Sequence, residues 1–344
     1  MPGAGPRFDA LVPPGGYLWW YVDGMSDCGR YGLSMIAFVG SVFSPYYAWS
    51  GRKDPEDHVC INVALYAPGG NRWSMTERRK DKLERDAFNF RVGPSSLHWA
   101  NGQLVIEFDE VSPPYPPFQW LPKRIKGTIV VKPHAVTQDV FDIDADGDQR
   151  WWPIAPSGDI SVQMERGGVS DWNGHGYLDC NWGTRPLEDT FTHWDWARGS
   201  LPDDQSVILY DAQRRDGSRG MLALQFDEDG AVTHVDPPAP QAVKPGVWGV
   251  ARNAHGDAGH TPSLTASYED GPFYLRAKVG SQIGGEPVDL MHESFSGERF
   301  GQWWVKAMLP FRMPRRSWFG LLYIPVLTGT PSLLAIVAYV WLSS

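Results

Sequence analysis

Cysteine is scarce: Cys28, Cys60 and Cys180 are the only three, too few and too far apart for a disulfide framework and without the CxxC spacing of a zinc site. They read as small buried residues of a reducing compartment. Positive charge is in deficit, and a net charge of -9 argues against phosphate backbones, so no nucleic-acid partner is expected. The glycine patterns that cradle nucleotides are missing, because Gly167-Gly168 and Gly284-Gly285 do not sit between a strand and a helix at the required spacing. Ser34, Ser41 and Ser44 lie in no G-x-S-x-G elbow, and the nine histidines form neither HxH nor HExxH. Nucleotide cofactors lose support, acyl-enzyme hydrolysis is not signalled, and a metal is possible only through distant residues, so no metal ligand is assigned. The opening arm, residues 1–16, lacks the apolar stretch of a secretory signal.

Rings are abundant instead. The chain has 17 Trp, 13 Tyr and 15 Phe beside 37 Gly and 29 Pro, a mixture that favours strands joined by turns. Short apolar runs such as "YLWWYV", "HVCINVALYA" and "QLVIEFDEV" recur at the spacing of sandwiches and barrels, and predict consecutive hairpins. Only Thr76–Ala87, "TERRKDKLERDA", has a helical look, and its thin apolar stripe makes it a surface excursion. The strand pattern restarts between residues 155 and 170, so two β-domains in tandem are expected. The last segment differs. Ser317–Leu342 carries no charge, is about long enough to cross a hydrocarbon core, and follows Arg312, Arg315 and Arg316. It reads as a membrane anchor with the folded body on the cytoplasmic side, and membrane lipid as a partner; Pro325 and Pro331 leave a shallow interfacial hairpin open.

Chemistry concentrates in "WNGHGYLDCNWG", Trp172–Gly183. As a strand it sets His175, Tyr177, Asp179 and Asn181 on one face and Gly176, Leu178, Cys180 and Trp182 on the other. Aromatic walls would raise the Asp179 pKa and keep it protonated as a general acid. The residues alone leave an equal alternative, an aspartate satisfied by turn amides. Asp23, Asp27, Glu77, Asp195 and Glu293 are rival carboxyls beside rings. Trp151, Trp152, Trp172, Trp194 and Trp196 are candidate pocket walls for a cationic or polyene ligand, although packing explains any one of them. Tyr46, Tyr47 and Trp49 in "SPYYAW" could line an entrance, although a cross-strand aromatic cluster is the plainer explanation. The acidic run Asp142–Asp148, "DIDADGD", lacks the closing glutamate of a calcium loop and reads as an acidic turn.

Gly15–Trp49 together with "RWSMTER", "VGPSSLHW", "WWPIAP", "GYLDCNWGTRPLE", "WDWARG" and "MLPFRMPR" closely resembles the carotenoid 1,2-hydratases of purple phototrophic bacteria, over about Gly15 to Arg316. The resemblance implies two tandem lipocalin-like antiparallel β-barrels, residues 17–167 and 168–310, followed by a basic patch and anchor over 311–344. It implies hydration of the terminal C1=C2 bond of an acyclic carotene such as neurosporene or lycopene, without a cofactor. Asp179 then becomes the acid, Tyr177 and Trp151 or Trp152 the rings that face the cation, with Trp194 or Trp196 behind, and His175 or Asn181 the holder of water. Family members carry a histidine just before the tryptophan of the "WxPIAP" stretch; Gln149 and Arg150 stand there here, which adds weight to His175. Two other readings suit the same scaffold: a non-catalytic carrier of carotenoids or lipids, and a polyene cyclase.

Overall fold

Side-chain alternation decides the architecture, because the central strands alternate between two apolar faces rather than between an apolar and a polar one. In the computed structural model, which describes residues 5–115, 119–316 and 322–323, strand β1 (Tyr17–Ser26) sends Leu18, Trp20 and Val22 into one core and Tyr17, Trp19 and Tyr21 into another. A period-two strand that is apolar on both sides has to be covered on both. It sits in the middle of a sheet, with a second sheet against its outer face.

The first sheet has twelve strands: β1, β2 (Gly32–Val39), β3 (Val59–Tyr66), β4 (Arg72–Met75), β5 (Leu83–Arg85), β6 (Asn89–Val92), β7 (Ser95–Ala100), β8 (Gln103–Ser112), β9 (Lys123–Pro133), β10 (Phe141–Asp142), β11 (Gln149–Arg166) and β12 (Trp172–Gly183). Its order is β4-β3-β2-β1-β12-β11-β9-β8-β7-β6-β5, with β10 on β11. Hairpins explain most of these neighbours, and the return of β12 to β1 is the long-range step. The second sheet runs from β13 (Phe191–Ser200), β14 (Ser206–Arg214), β15 (Arg219–Phe226) and β16 (Val232–His234) to β19 (Ser263–Asp270), β20 (Tyr274–Ile283) and β21 (Glu286–Ser296), in the order β16-β15-β14-β13-β21-β20-β19. A separate ribbon pairs β17 (Ala239–Val243) with β18 (Arg252–Gly256). Helices are short: α1 (Pro45–Trp49), α2 (Leu187–Thr190), α3 (Gly297–Phe300) and α4 (Trp303–Met308).

Two closed tandem barrels, expected from the sequence, are corrected by this topology. The first path ends at β4 and β5, and no ladder joins those ends among the described residues, so the sheet is an open, curled half-barrel. The edge strands are only four and three residues long, and side chains replace a closing ladder: Arg78 donates to Glu110 at 2.8 Å and the Trp73 amide to Ser112 Oγ at 3.3 Å. The second sheet is open as well. The membrane segment expected over Ser317–Leu342 lies outside the described residues except for 322–323, and among the described residues no helix is long and apolar enough to cross a membrane. Thr76–Ala87 forms no α-helix; a single 3-10 turn at Lys80–Lys82 leads into β5. Strand β12, which follows residue 168, belongs to the first sheet.

Three apolar clusters result. One fills the concave side of the first sheet, one lies between the two sheets, and one backs the second sheet beneath β18. The middle cluster is the aromatic one. Trp19, Tyr21, Trp151 and Tyr177 from the first sheet meet Trp194, Trp196, Tyr210 and Phe295 from the second.

Candidate active site

Strand β12 divides its side chains between these clusters, with Leu178 and Cys180 in the concave core and Tyr177 in the aromatic layer. Asp179 shares the layer's side and is 3% exposed. Its Oδ2 accepts from Trp151 Nε1 at 2.9 Å and from the Tyr177 hydroxyl at 2.8 Å, while its Oδ1 accepts from Asn181 Nδ2 at 3.0 Å. Tyr177 and Asn181 are the residues two before and two after Asp179, so strand periodicity alone brings them to it.

Other buried carboxylates have cations or histidines beside them. Asp23 meets Arg198, Glu77 meets His58 and Arg315, Glu110 meets Arg78 and Asp144 meets Arg185. Glu188 meets Arg52 and Lys306, Asp195 meets His193, and Asp211 meets Arg219 and His255. Asp179 is the exception among the described residues. Burial pushes its pKa well above the ordinary carboxyl value; the bonds from Trp151 and Tyr177 pull the other way, and the charges of Glu293 and Asp23 add to the rise. Such a group is held neutral, since an isolated ion in a ring-lined interior is too costly to keep.

The rings close around it. Tyr177 lies 6.0 Å from Tyr21 and 5.4 Å from Trp196, centroid to centroid, and Tyr21 lies 5.6 Å from Trp196. Trp151 is 5.7 Å from Tyr210, which is 6.3 Å from Trp194. Beyond Tyr21 the layer turns polar at two buried arginines. Arg198 donates through Nε to Asp23 at 2.7 Å, and Arg276 binds Glu293 at 2.9 Å and Glu269 and the Tyr66 hydroxyl at 2.8 Å each.

The same layer opens on one side into a cleft walled by Phe38, Phe43, Phe273, Met308 and Leu309. Arg276 and Glu269 form part of its lining, whereas Asp179 does not touch it.

The structure gathers some of the expected site residues and disperses others. Asp179, Tyr177, Trp151, Trp196 and Trp194 share the aromatic layer, with Trp194 stacked on Phe295 at 4.1 Å. Trp152 points the opposite way into the concave core and donates to the Thr137 carbonyl at 3.0 Å, and Trp172 lies in that core too. His175 is half exposed, 3.9 Å from Asp27, and sits four residues from Asp179, about 13 Å along a strand. Water at Asp179 is out of its reach. Tyr46 and Tyr47 belong to α1; Tyr47 donates to the Gly16 carbonyl at 2.7 Å and Tyr46 packs on Trp49, away from the cleft. The rival carboxyls Asp23, Glu77, Asp195 and Glu293 are all engaged, and Asp27 is exposed. Gln149 takes the Tyr17 hydroxyl at 2.6 Å, and Arg150 points out to Asp142. Sequence reasoning missed Tyr21 and Tyr210. The alternation Tyr17, Trp19, Tyr21 carried a signal for the first, while Tyr210 needs the packing of two sheets. Asp144, Asp146 and Asp148 converge within 4.8 Å, but Arg185 already bridges all three.

A buried neutral carboxyl walled by rings, in the layer between two facing antiparallel sheets, defines a β-sheet protein whose site is suited to acid chemistry on an apolar ligand. The chain belongs to the carotenoid hydratase family, whose model, CrtC, matches residues 35–320. It is 44% identical over 318 residues to the acyclic carotenoid 1,2-hydratase of Rubrivivax gelatinosus, covering 91% of this chain and 76% of the relative. It is 42% identical over 288 residues to that of Rhodobacter capsulatus, covering 82% and 98%. Among solved structures, an AttH protein of Nitrosomonas europaea superposes with a TM-score of 0.55 at 16% identity over 82% of this chain and 92% of that one. Kievitone hydratase of Nectria haematococca gives 0.52 at 10% identity over 85% and 92%. These two establish a shared fold.

Proposed function

We propose that this chain adds water across the terminal C1=C2 bond of an acyclic carotene such as neurosporene or lycopene, with Asp179 as the acid. One observation carries the assignment: among the described residues Asp179 is the buried carboxyl without a cation, and rings surround it. The neutral carboxyl gives its proton to C2, the π pair becomes the C2–H bond, and C1 is left as a tertiary cation. Two donors occupy Oδ2, so the acidic hydrogen belongs on Oδ1. Turning the Asn181 amide end for end offers that hydrogen the buried, otherwise unpartnered Asn181 Oδ1.

Once the proton has left, the carboxylate keeps the Trp151 and Tyr177 donors, which stabilise charge where it develops. The faces of Tyr177 and Trp196 support the carbocation. Water held by Asn181 adds to C1, and the proton it sheds returns to Asp179, which restores the acid. A long hydrocarbon costs roughly 25 cal/mol per Å² to expose to water, so we place the body against a membrane surface on its cytoplasmic side. Val247 and Trp303, both exposed, are sequence neighbours of the stacked Trp248 and Trp304 and supply an apolar contact there.

Incubation of lycopene-containing membranes with the purified protein tests this reading. The expected product is a 1-hydroxy carotene one water heavier by mass, with Asp179→Asn slower by at least about 10²-fold. Normal hydration by folded Asp179→Asn would overturn the acid assignment, and lycopene recovered unchanged from the wild type would make the protein a carrier.

A further inference from the structure

The acid and the cleft are linked by one cross-strand row. Asp179 pairs with Tyr21, Tyr21 with Ile36, Ile36 with Asn62 and Asn62 with Met75. Directly paired residues point to the same face, and strands lie about 4.7–4.9 Å apart, so Ile36 and Asp179 are separated by about 10 Å with Tyr21 between them. Ile36, Asn62 and Met75 line the cleft. On the cleft side the Tyr21 ring has Arg276 Cζ at 5.5 Å; on the other it has the rings of Tyr177 and Trp196, which flank Asp179. Tyr21 is 4% exposed, and its hydroxyl donates to Asp23 Oδ2 at 2.9 Å, a carboxylate held in turn by Arg198.

We propose that this cleft is the binding channel for the hydrocarbon chain of the polyene, and that Tyr21 is the partition its terminal end displaces to reach the acid. The proposal rests on the hydratase reading and adds the route. The walls suit a hydrocarbon because Phe38, Phe43, Phe273, Met308 and Leu309 offer rings and thioether; of the charged lining, Arg276 is paired with Glu269 and Glu293, Asp270 Oδ2 accepts from the Val247 amide at 2.7 Å, and the Arg312 guanidinium lies 4.5 Å over the Trp73 ring. A reacting carbon has to come within about 3 to 4 Å of the carboxyl, and a chain stopped at Ile36 falls short of that. Swinging the Tyr21 ring breaks a single hydrogen bond, since Asp23 keeps its arginine when the phenol leaves.

The test is binding and turnover of lycopene delivered in detergent micelles, with binding read by energy transfer from tryptophan to the polyene. Trp73 and Trp248 line the cleft and act as donors. Met308→Lys, at a half-buried position, places a charge in the channel and raises the lycopene Kd at least tenfold. Tyr21→Trp binds within about threefold of the wild type and hydrates at least tenfold more slowly. If that variant does not fold, Tyr21→Leu removes the partition and raises the hydration rate at least twofold. Wild-type affinity in Met308→Lys would overturn the channel, and wild-type turnover in whichever Tyr21 variant folds would overturn the partition. Asp179→Asn separates the two readings, because it binds lycopene as the wild type does and fails to hydrate it. Full turnover in Asp179→Asn would sink the acid assignment while the Met308→Lys affinity still judged the channel.

Discussion

Asp179 is defined less by what touches it than by what does not. Its folded pKa is raised by burial, so between the ordinary carboxyl value of 3.8 and that raised value the folded state holds a proton that the unfolded state has lost. Stability therefore falls as pH rises through this window, by about 1.4 kcal/mol per pH unit for a single group. Asp179→Asn abolishes that slope: chemical denaturation from pH 5 upward should show the variant gaining on the wild type, and parallel curves would contradict a neutral Asp179. Hydration should decline with rising pH as the acid ionises. Trp151→Phe removes one donor to the carboxylate formed on proton transfer, and should lower kcat by about 10- to 100-fold with a smaller effect on KM. Tyr177 and Asn181 were legible from the sequence, being two positions either side of Asp179 on one strand. His175 shares the parity and fails on distance, because strand periodicity selects a face and not a place along it.

Strands with two apolar faces are what the sequence disclosed least clearly. "YLWWYV" reads as a hydrophobic run, yet its odd positions enter one cluster and its even positions another. Two closed barrels were expected because hairpin spacing records neighbours in the chain and is silent on whether the ends of a sheet meet. The glycine closing the key strand has a local reason. A Cβ on Gly183 would lie 2.3 Å from Gln149 Oε1 and 2.6 Å from Tyr17 Cε1, and these two side chains are hydrogen-bonded to each other. Gly183→Ala should cost about 1–3 kcal/mol by overpacking, seen as a lower midpoint in denaturant with m unchanged. An unaltered midpoint would mean that this corner is looser than its contacts imply.

Across the whole molecule, the aromatic layer makes the two sheets depend on each other. Asp23 of the first sheet and Arg198 of the second are buried together, and Arg276 of the second reaches Ser34 and Tyr66 of the first. Removing one member of a buried pair strands the other charge. Arg198→Met should therefore destabilise by about 3–5 kcal/mol, and a matched Asp23→Leu change in the same chain should recover much of the loss. Thermal melts of the single and double variants check this; additive losses would show that the pair does not couple the sheets. Neither partner is recognisable in sequence, since 175 residues separate them.

All of the chemistry requires Asp179 to carry its hydrogen at neutral pH. Infrared difference spectroscopy of protein labelled with carboxyl-¹³C aspartate, wild type minus Asp179→Asn, reads that state directly. A protonated carboxyl band at neutral pH that disappears in the variant is the result expected here; a carboxylate band in its place would contradict it.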